Sequence, residues 1–110
     1  MALLALAFPI LPGKKDKWLQ MIEQFNGPAK ADLVASRKRI GIHERTFLQE
    51  TPMGDLVIVT FEGNDVQSAL GKLMADPAMG KFMAQLSEIH GMDPNAPPPA
   101  LPRLVFDSNA

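Results

Sequence analysis

The chain has 110 residues, of which 46% are hydrophobic and 21% charged, and this is typical of one globular domain over residues 1–110. Eleven basic and twelve acidic residues give a net charge of −1, which argues against a nucleic-acid partner. The chain has no cysteine, which excludes disulfides, thiol nucleophiles and thiolate metal sites and favours a cytoplasmic protein. The basic clusters around Lys14 and Arg37 lack the aromatic neighbours of a nucleic-acid site and are predicted to be solvated helix faces.

The first segment is apolar, and its pattern favours a strand over a targeting signal. Residues 3–8 form a short apolar run, which Pro9 and the pair Pro12-Gly13 close. No positive charge precedes the run, as a signal peptide requires. It is also far shorter than the roughly 20 residues that cross a bilayer. We therefore expect a buried first strand and no membrane partner.

A helical period follows, in two pieces that Asn26-Gly27-Pro28 separates. In the first piece, apolar side chains recur at the i, i+3, i+4 and i+7 spacing of one helix face: Trp18, Met21, Ile22 and Phe25. Proline suits the first turn of a new helix better than the interior of an old one. A second helix is therefore predicted over residues 28–40, with Gly41 as its stop. One side of it carries Leu33, Val34, Arg37 and Ile40.

Residues 44–50 and 55–62 are predicted to form a hairpin, joined by the turn Thr51-Pro52-Met53-Gly54. If Glu50 faces Asp55 across the turn, Gln49 faces Leu56, Phe47 faces Ile58 and Arg45 faces Thr60, and these six residues share one face of the sheet. The opposite face would carry Leu48, Val57, Val59 and Phe61. The second set is the more apolar one, so we expect it to pack against the helices. A slip of one residue would exchange these pairs.

The rest of the chain repeats the order of helix and then strand. Asn64 or Asp65 can cap a third helix, and Asp76-Pro77 begins a further helix that ends at His90-Gly91, with Phe82, Leu86 and Ile89 buried. Residues 94–102 are rich in proline and are predicted to be an extended loop, and residues 104–106 a last strand. The order of elements predicts an α+β, ferredoxin-like βαββαβ fold with a four-stranded antiparallel sheet.

The third predicted strand is apolar on both of its faces. Val57, Val59 and Phe61 lie on one face, and Leu56, Ile58 and Thr60 lie on the other. A strand that is covered on one face only should alternate apolar with polar residues. The helices of one small domain can cover one face, and a second copy of the chain is the simplest cover for the other. We therefore expect a homodimer in which two sheets pair face to face.

Several stretches of the chain resemble a known superfamily. They are residues 8–14, 27–28, 35–42, 44–45, 48–55 and 88–91. With the order of elements, they resemble the dimeric α+β barrel superfamily, and within it a group of small bacterial proteins with no assigned activity. The superfamily also includes cofactor-free monooxygenases, muconolactone isomerase-like enzymes, stress-responsive barrel proteins and haem-binding proteins, whose catalytic motifs the chain does not match. The resemblance implies a pocket but no particular chemistry.

His90 and Arg45 are the candidate catalytic residues. His90 is predicted at a helix C-terminus, where the dipole favours its charged form. It is either an acid, a base or a ligand, or a cap that bonds the last carbonyls of its helix. Arg45, if it points into the barrel, needs an anionic ligand or a carboxylate such as Glu62 or Asp107. No metal site is predicted from two distant histidines without cysteine, and no cofactor motif is present.

Three functions are consistent with these residues. The first is a homodimeric barrel that binds a small, partly apolar or anionic molecule. Its pocket would be lined by Arg45, Phe47, Gln49, Ile58 and Thr60, with Trp18 or His90 near the mouth. The second is a cofactor-independent monooxygenase or isomerase that needs one acid or base group. The third is a structural or regulatory dimer with a packed interior and no ligand.

Overall fold

A computed structural model describes residues 2–80, 82–92 and 101–109, with the backbone alone at residues 78 and 79. The elements, in chain order, are β1 (Ala2–Pro9), α1 (Lys15–Asn26), α2 (Lys30–Ile40), β2 (Ile42–Gln49), β3 (Leu56–Gly63), α3 (Val66–Ala75), α4 (Pro77–Gly80) and α5 (Met83–His90). The α+β class is therefore confirmed. None of the described helices is long and apolar enough to cross a membrane.

The strands form an antiparallel sheet in the order β1-β3-β2, so β3 is its central strand. The predicted hairpin register is confirmed, because Gln49 pairs with Leu56, Phe47 with Ile58 and Arg45 with Thr60. The turn that sets this register is closed by the Gly54 amide, which donates to the Thr51 carbonyl oxygen at 3.1 Å. Gly54 has φ +127°, in a region of backbone conformation that favours glycine.

The helices cover the face of the sheet that the sequence assigned to them. Val57 and Phe61 are 2% and 4% exposed, and Leu48 and Val59 pack against the buried core. The core has two parts. One contains Ile10, Trp18, Met21, Leu33, Val57, Phe82 and Ile89, and the other contains Ile42, Phe61, Val66, Ala69 and Leu73.

β1 is only half buried, so the prediction of a buried first strand is wrong for one of its faces. Leu4, Leu6 and Phe8 are partly buried on the side of the helices, whereas Leu3, Ala5 and Ala7 are exposed. The reason lies in the register with β3, in which Ala5 pairs with Thr60 and Ala7 with Ile58. Directly paired residues share a face, and none of the described helices covers that face.

The helix ends follow the sequence signals closely. The Asp65 carboxylate accepts a hydrogen bond from the Ser68 amide at 3.1 Å and caps α3. Gly41 ends α2 with φ +86°, and Gly91 ends α5 with φ +68°. The single helix predicted after Pro77 is instead described as α4 and α5, with the buried Phe82 at the N-cap of α5.

The predicted fourth strand is not present among the described residues. Residues 101–109 contain no strand, and Leu104, Val105 and Phe106 are 71%, 81% and 80% exposed. The described sheet has three strands, and residues 101–109 do not pair with the outer edge of β1. Residues 94–100 of the predicted proline-rich loop lie outside the described residues.

Candidate functional site

The face of the sheet that points away from the helices is not covered by any described element, and we call it the open face. Five of the predicted site residues lie together on it: Arg45, Phe47, Gln49, Ile58 and Thr60. β1 adds Leu3, Ala5 and Ala7 to the same face. Phe47 is 51% exposed and Leu3 is 62% exposed. The open face is therefore an apolar surface with a few polar side chains at its β2 side.

Arg45 carries a positive charge on the open face, and it already has a partner. Its Nη1 donates a hydrogen bond to the Glu62 carboxylate. This contact holds the pKa of Glu62 below its usual value. Of the two partners considered from the sequence, Glu62 is thus the observed one and Asp107 is not. The pairing compensates the Arg45 charge, so a ligand that meets Arg45 also meets Glu62.

His90 lies on the other side of the sheet, buried at the end of α5. Its Nδ1 bonds the Pro9 carbonyl oxygen at 2.8 Å, and its ring lies 5.3 Å from the Phe8 ring at an angle of 35°. The prediction that it bonds the last carbonyls of its own helix is therefore wrong. Burial lowers the pKa of His90, and the Pro9 carbonyl opposes this. Burial therefore opposes the charged form that the helix dipole is expected to favour.

The seven predicted site residues consequently do not form one site in the chain. Trp18 is 5% exposed in the core under α1, and His90 is on the same helix side of the sheet. Neither lies at the mouth of a pocket on the open face. Arg45 and His90, the two candidate catalytic residues, are on opposite faces and cannot act together on one molecule within a single chain.

A cavity that the sequence did not indicate lies between the sheet and the helices. This inner cavity has a volume of about 140 Å³. An outer groove of about 260 Å³ adjoins it beside α1, α2 and β2. The two share four lining residues, Phe25, Arg37, Glu44 and Thr46. His90 lines the inner cavity, whereas the sequence predicted it near the mouth of a pocket on the opposite face of the sheet.

An ion pair lies where the inner cavity meets the outer groove. Arg37 Nε donates to Glu44 Oε1 at 2.7 Å, and the two side chains are 11% and 18% exposed. Arg37 Nη1 also donates to the hydroxyl of the fully buried Ser36 at 3.3 Å. The sequence did carry a signal of this pair. Arg37 lies on the same side of its helix as Leu33 and Ile40, and a charge on an apolar face requires a partner.

The basic cluster at the start of α1 is paired with acidic residues. Lys14 and Lys17 contact Glu88 Oε1 at 2.8 Å and 2.5 Å, and these two ammonium groups lower the pKa of Glu88 to about 2. Lys15 contacts Glu50 and, at 3.5 Å, Asp55. The cluster is therefore not a free anion-binding surface. Within the described part of the chain, no three or more of His, Cys, Asp and Glu are grouped as metal ligands.

Comparison with known proteins adds no family to this description. No protein-family model matches the chain, and no curated protein matches it significantly. The open face and the inner cavity therefore carry the functional argument.

Proposed function

We propose that the protein is a homodimer whose two sheets pair through their open faces and hold a small, partly apolar molecule between them. The observation that carries this proposal is the open face itself, where Leu3 and Phe47 expose more than half of their side chains. Contiguous apolar patches of this kind mark interaction surfaces on soluble proteins.

A second copy of the chain is the partner that best fits the open face. In a twofold dimer the same patch meets itself, so apolar β1 and β3 residues of one copy cover those of the other. The mixed character of the β2 side supports a ligand in the same interface. Gln49, Thr60 and the paired Arg45 leave hydrogen-bonding groups where packing between two sheets is least apolar. The pairing of Arg45 with Glu62 favours a partly apolar ligand over an anionic one.

The C-terminal segment completes the proposed architecture. The outer edge of β1 has no described neighbour, because β1 pairs with β3 alone. Unpaired edges of this kind attract further strands. Leu104, Val105 and Phe106 are apolar and exposed, and we propose that they pair along this edge as a fourth strand. The result is the four-stranded ferredoxin-like sheet of the dimeric α+β barrel superfamily, which the sequence resembles.

The pairing of open faces is tested with one substitution and a matched control. Phe47→Glu places a charge at the centre of the proposed interface, and an unpaired buried charge costs several kcal/mol. We expect wild type to sediment as a dimer and Phe47→Glu to dissociate at least roughly a hundredfold more readily. Met53→Glu makes the same change of charge at a turn residue that is 99% exposed, and it should remain dimeric. A monomeric wild type contradicts the proposal.

The ligand is tested on the same three proteins with 8-anilinonaphthalene-1-sulfonate. This dye combines an apolar ring system with one negative charge, and its ring system is too large for the inner cavity. We expect saturable binding to the wild type and to Met53→Glu, with a stoichiometry of one dye per dimer, and its loss in Phe47→Glu. A stable dimer that binds no dye would support the pairing of open faces and contradict the proposed ligand.

A further inference from the structure

The inner cavity lies on the opposite side of the sheet from the open face. Its floor is the helix side of the sheet, where Leu6 and Phe8 of β1 meet Val59 of β3, and its roof includes Leu70 of α3 and Leu86 of α5. These elements belong to one chain. A ligand in this cavity therefore does not depend on the dimer.

The volume of the cavity limits what it can hold. At about 140 Å³, it is well below the roughly 300 Å³ at which drug-sized sites begin. Apolar cavities of about 150 Å³ accommodate benzene. The inner cavity is therefore of the size of one six-membered ring with a small substituent.

The polar groups of the cavity favour a neutral ligand that donates a hydrogen bond. Because His90 Nδ1 donates its hydrogen to Pro9, Nε2 of the neutral ring is an acceptor. Within the described part of the chain, no residue bonds Nε2. The charges that line the cavity, Arg37 and Glu44, already neutralise each other.

Two methionines favour an aromatic ring over an aliphatic one. Met74 and Met83 line the cavity, and Met74 is 54% exposed, which places it at the rim. Thioether sulfur makes favourable contacts with aromatic ring edges, and the flexible methionine side chain adapts to a ligand that enters past it.

We propose that the inner cavity is a second binding site, for a small neutral aromatic alcohol of the phenol class. The ring fills the apolar space between the sheet and the helices, and the hydroxyl group donates its hydrogen to His90 Nε2.

The test compares phenol with toluene, which has the same ring and no hydroxyl group. Titration of the full chain, followed by ¹H–¹⁵N spectra, should show saturable binding of phenol with shifts at β1, α3 and α5. His90→Phe keeps a ring at this position and removes the acceptor. It should weaken phenol binding roughly tenfold, as expected for a lost hydrogen bond, and change toluene binding by less than about twofold. Equal loss of both ligands, or no loss of phenol, overturns the proposal.

Two further measurements keep the inference testable if His90→Phe does not fold. In the wild type, phenol should shift the His90 Nε2 resonance and toluene should not. Benzoate, which carries a full charge, should bind more weakly than phenol, and equal or tighter binding overturns the neutral ligand. Phe47→Glu should bind phenol as the wild type does, even though we expect it to lose the dimer. Loss of phenol binding in that variant would place phenol on the open face and overturn the second site.

Discussion

Gly63 shows how one residue fixes the junction between α2 and the sheet. It ends β3 and pairs with Ile42 at the start of β2. A Cβ atom at this position would lie 2.6 Å from the Gly41 carbonyl oxygen. That oxygen belongs to the backbone of the residue that ends α2 in a left-handed conformation, so it cannot turn aside as a flexible side chain would. Only glycine permits this approach.

Gly63→Ala should therefore lower the free energy of unfolding by about 1–3 kcal/mol, the usual cost of overpacking. Urea denaturation measures this change. Gly71→Ala adds the same methyl group on α3, where a Cβ atom meets nothing within 4 Å. It should raise the free energy of unfolding by about 0.5–1 kcal/mol, because alanine is the better helix former. Equal stability of the two variants would contradict this account of Gly63.

His90 and Arg45 show why residue type alone did not locate a site. From the sequence, both side chains are candidates for acid–base chemistry or ligand binding. The partners that define their chemistry come from elsewhere in the chain, since Pro9 is 81 residues from His90 and Glu62 is 17 residues from Arg45. Such contacts depend on the packing of β1 against α5 and on the register of two strands. A helix-end argument for His90 considers only neighbours in sequence, whereas burial in the folded chain lowers the pKa of His90.

At the scale of elements, features set by neighbouring residues in sequence were predicted correctly, whereas features set by contacts between distant elements were not. The hairpin register followed from a turn with proline and glycine and from alternation in one strand, both of which are local. Phe82, at the N-cap of α5, is buried, and its ring centroid lies 4.9 Å from that of Phe25 on another helix. The exposure of one face of β1 depends on which elements cover the sheet. Neither the burial of Phe82 nor the exposure of β1 can be predicted from the residues of that segment alone.

The cap of α3 allows a local signal to be measured. The sequence left Asn64 and Asp65 as alternatives, and the structure places the Asp65 carboxylate on the Ser68 amide. Asp65→Ala should lower the free energy of unfolding by about 1 kcal/mol, because the amide loses its acceptor. Asn64→Ala removes a polar side chain one residue earlier and should change stability by less than about 0.5 kcal/mol. Thermal denaturation of both variants checks this, and a larger loss in Asn64→Ala would contradict it.

At the scale of the whole molecule, the open face extends further than the argument from β3 alone implied. Leu56 and Ile58 predicted one apolar strip, and the structure adds β1 residues beside it. The sequence did not predict the β1 part of the open face, because the apolar run at residues 3–8 indicates burial but not whether one or both faces of the strand are buried. The helix side of β1 is occupied by the core, and its other side is exposed, where the proposed second copy of the chain would cover it. This strengthens the case for a partner beyond what one strand supplied.

The C-terminal segment tests the proposed assembly as a whole. If residues 104–106 pair along β1, the β1 amides that point away from β3 gain acceptors and should exchange slowly with deuterium. Val105→Asp should speed their exchange, because aspartate is unfavourable in a strand and its charge opposes burial in the interface. Ser108→Asp adds the same charge nearby, at an exposed residue outside the proposed strand, and should leave their exchange unchanged. Fast exchange of these amides in the wild type would mean that β1 remains an edge strand, and the four-stranded sheet would then be wrong even if the open faces still pair.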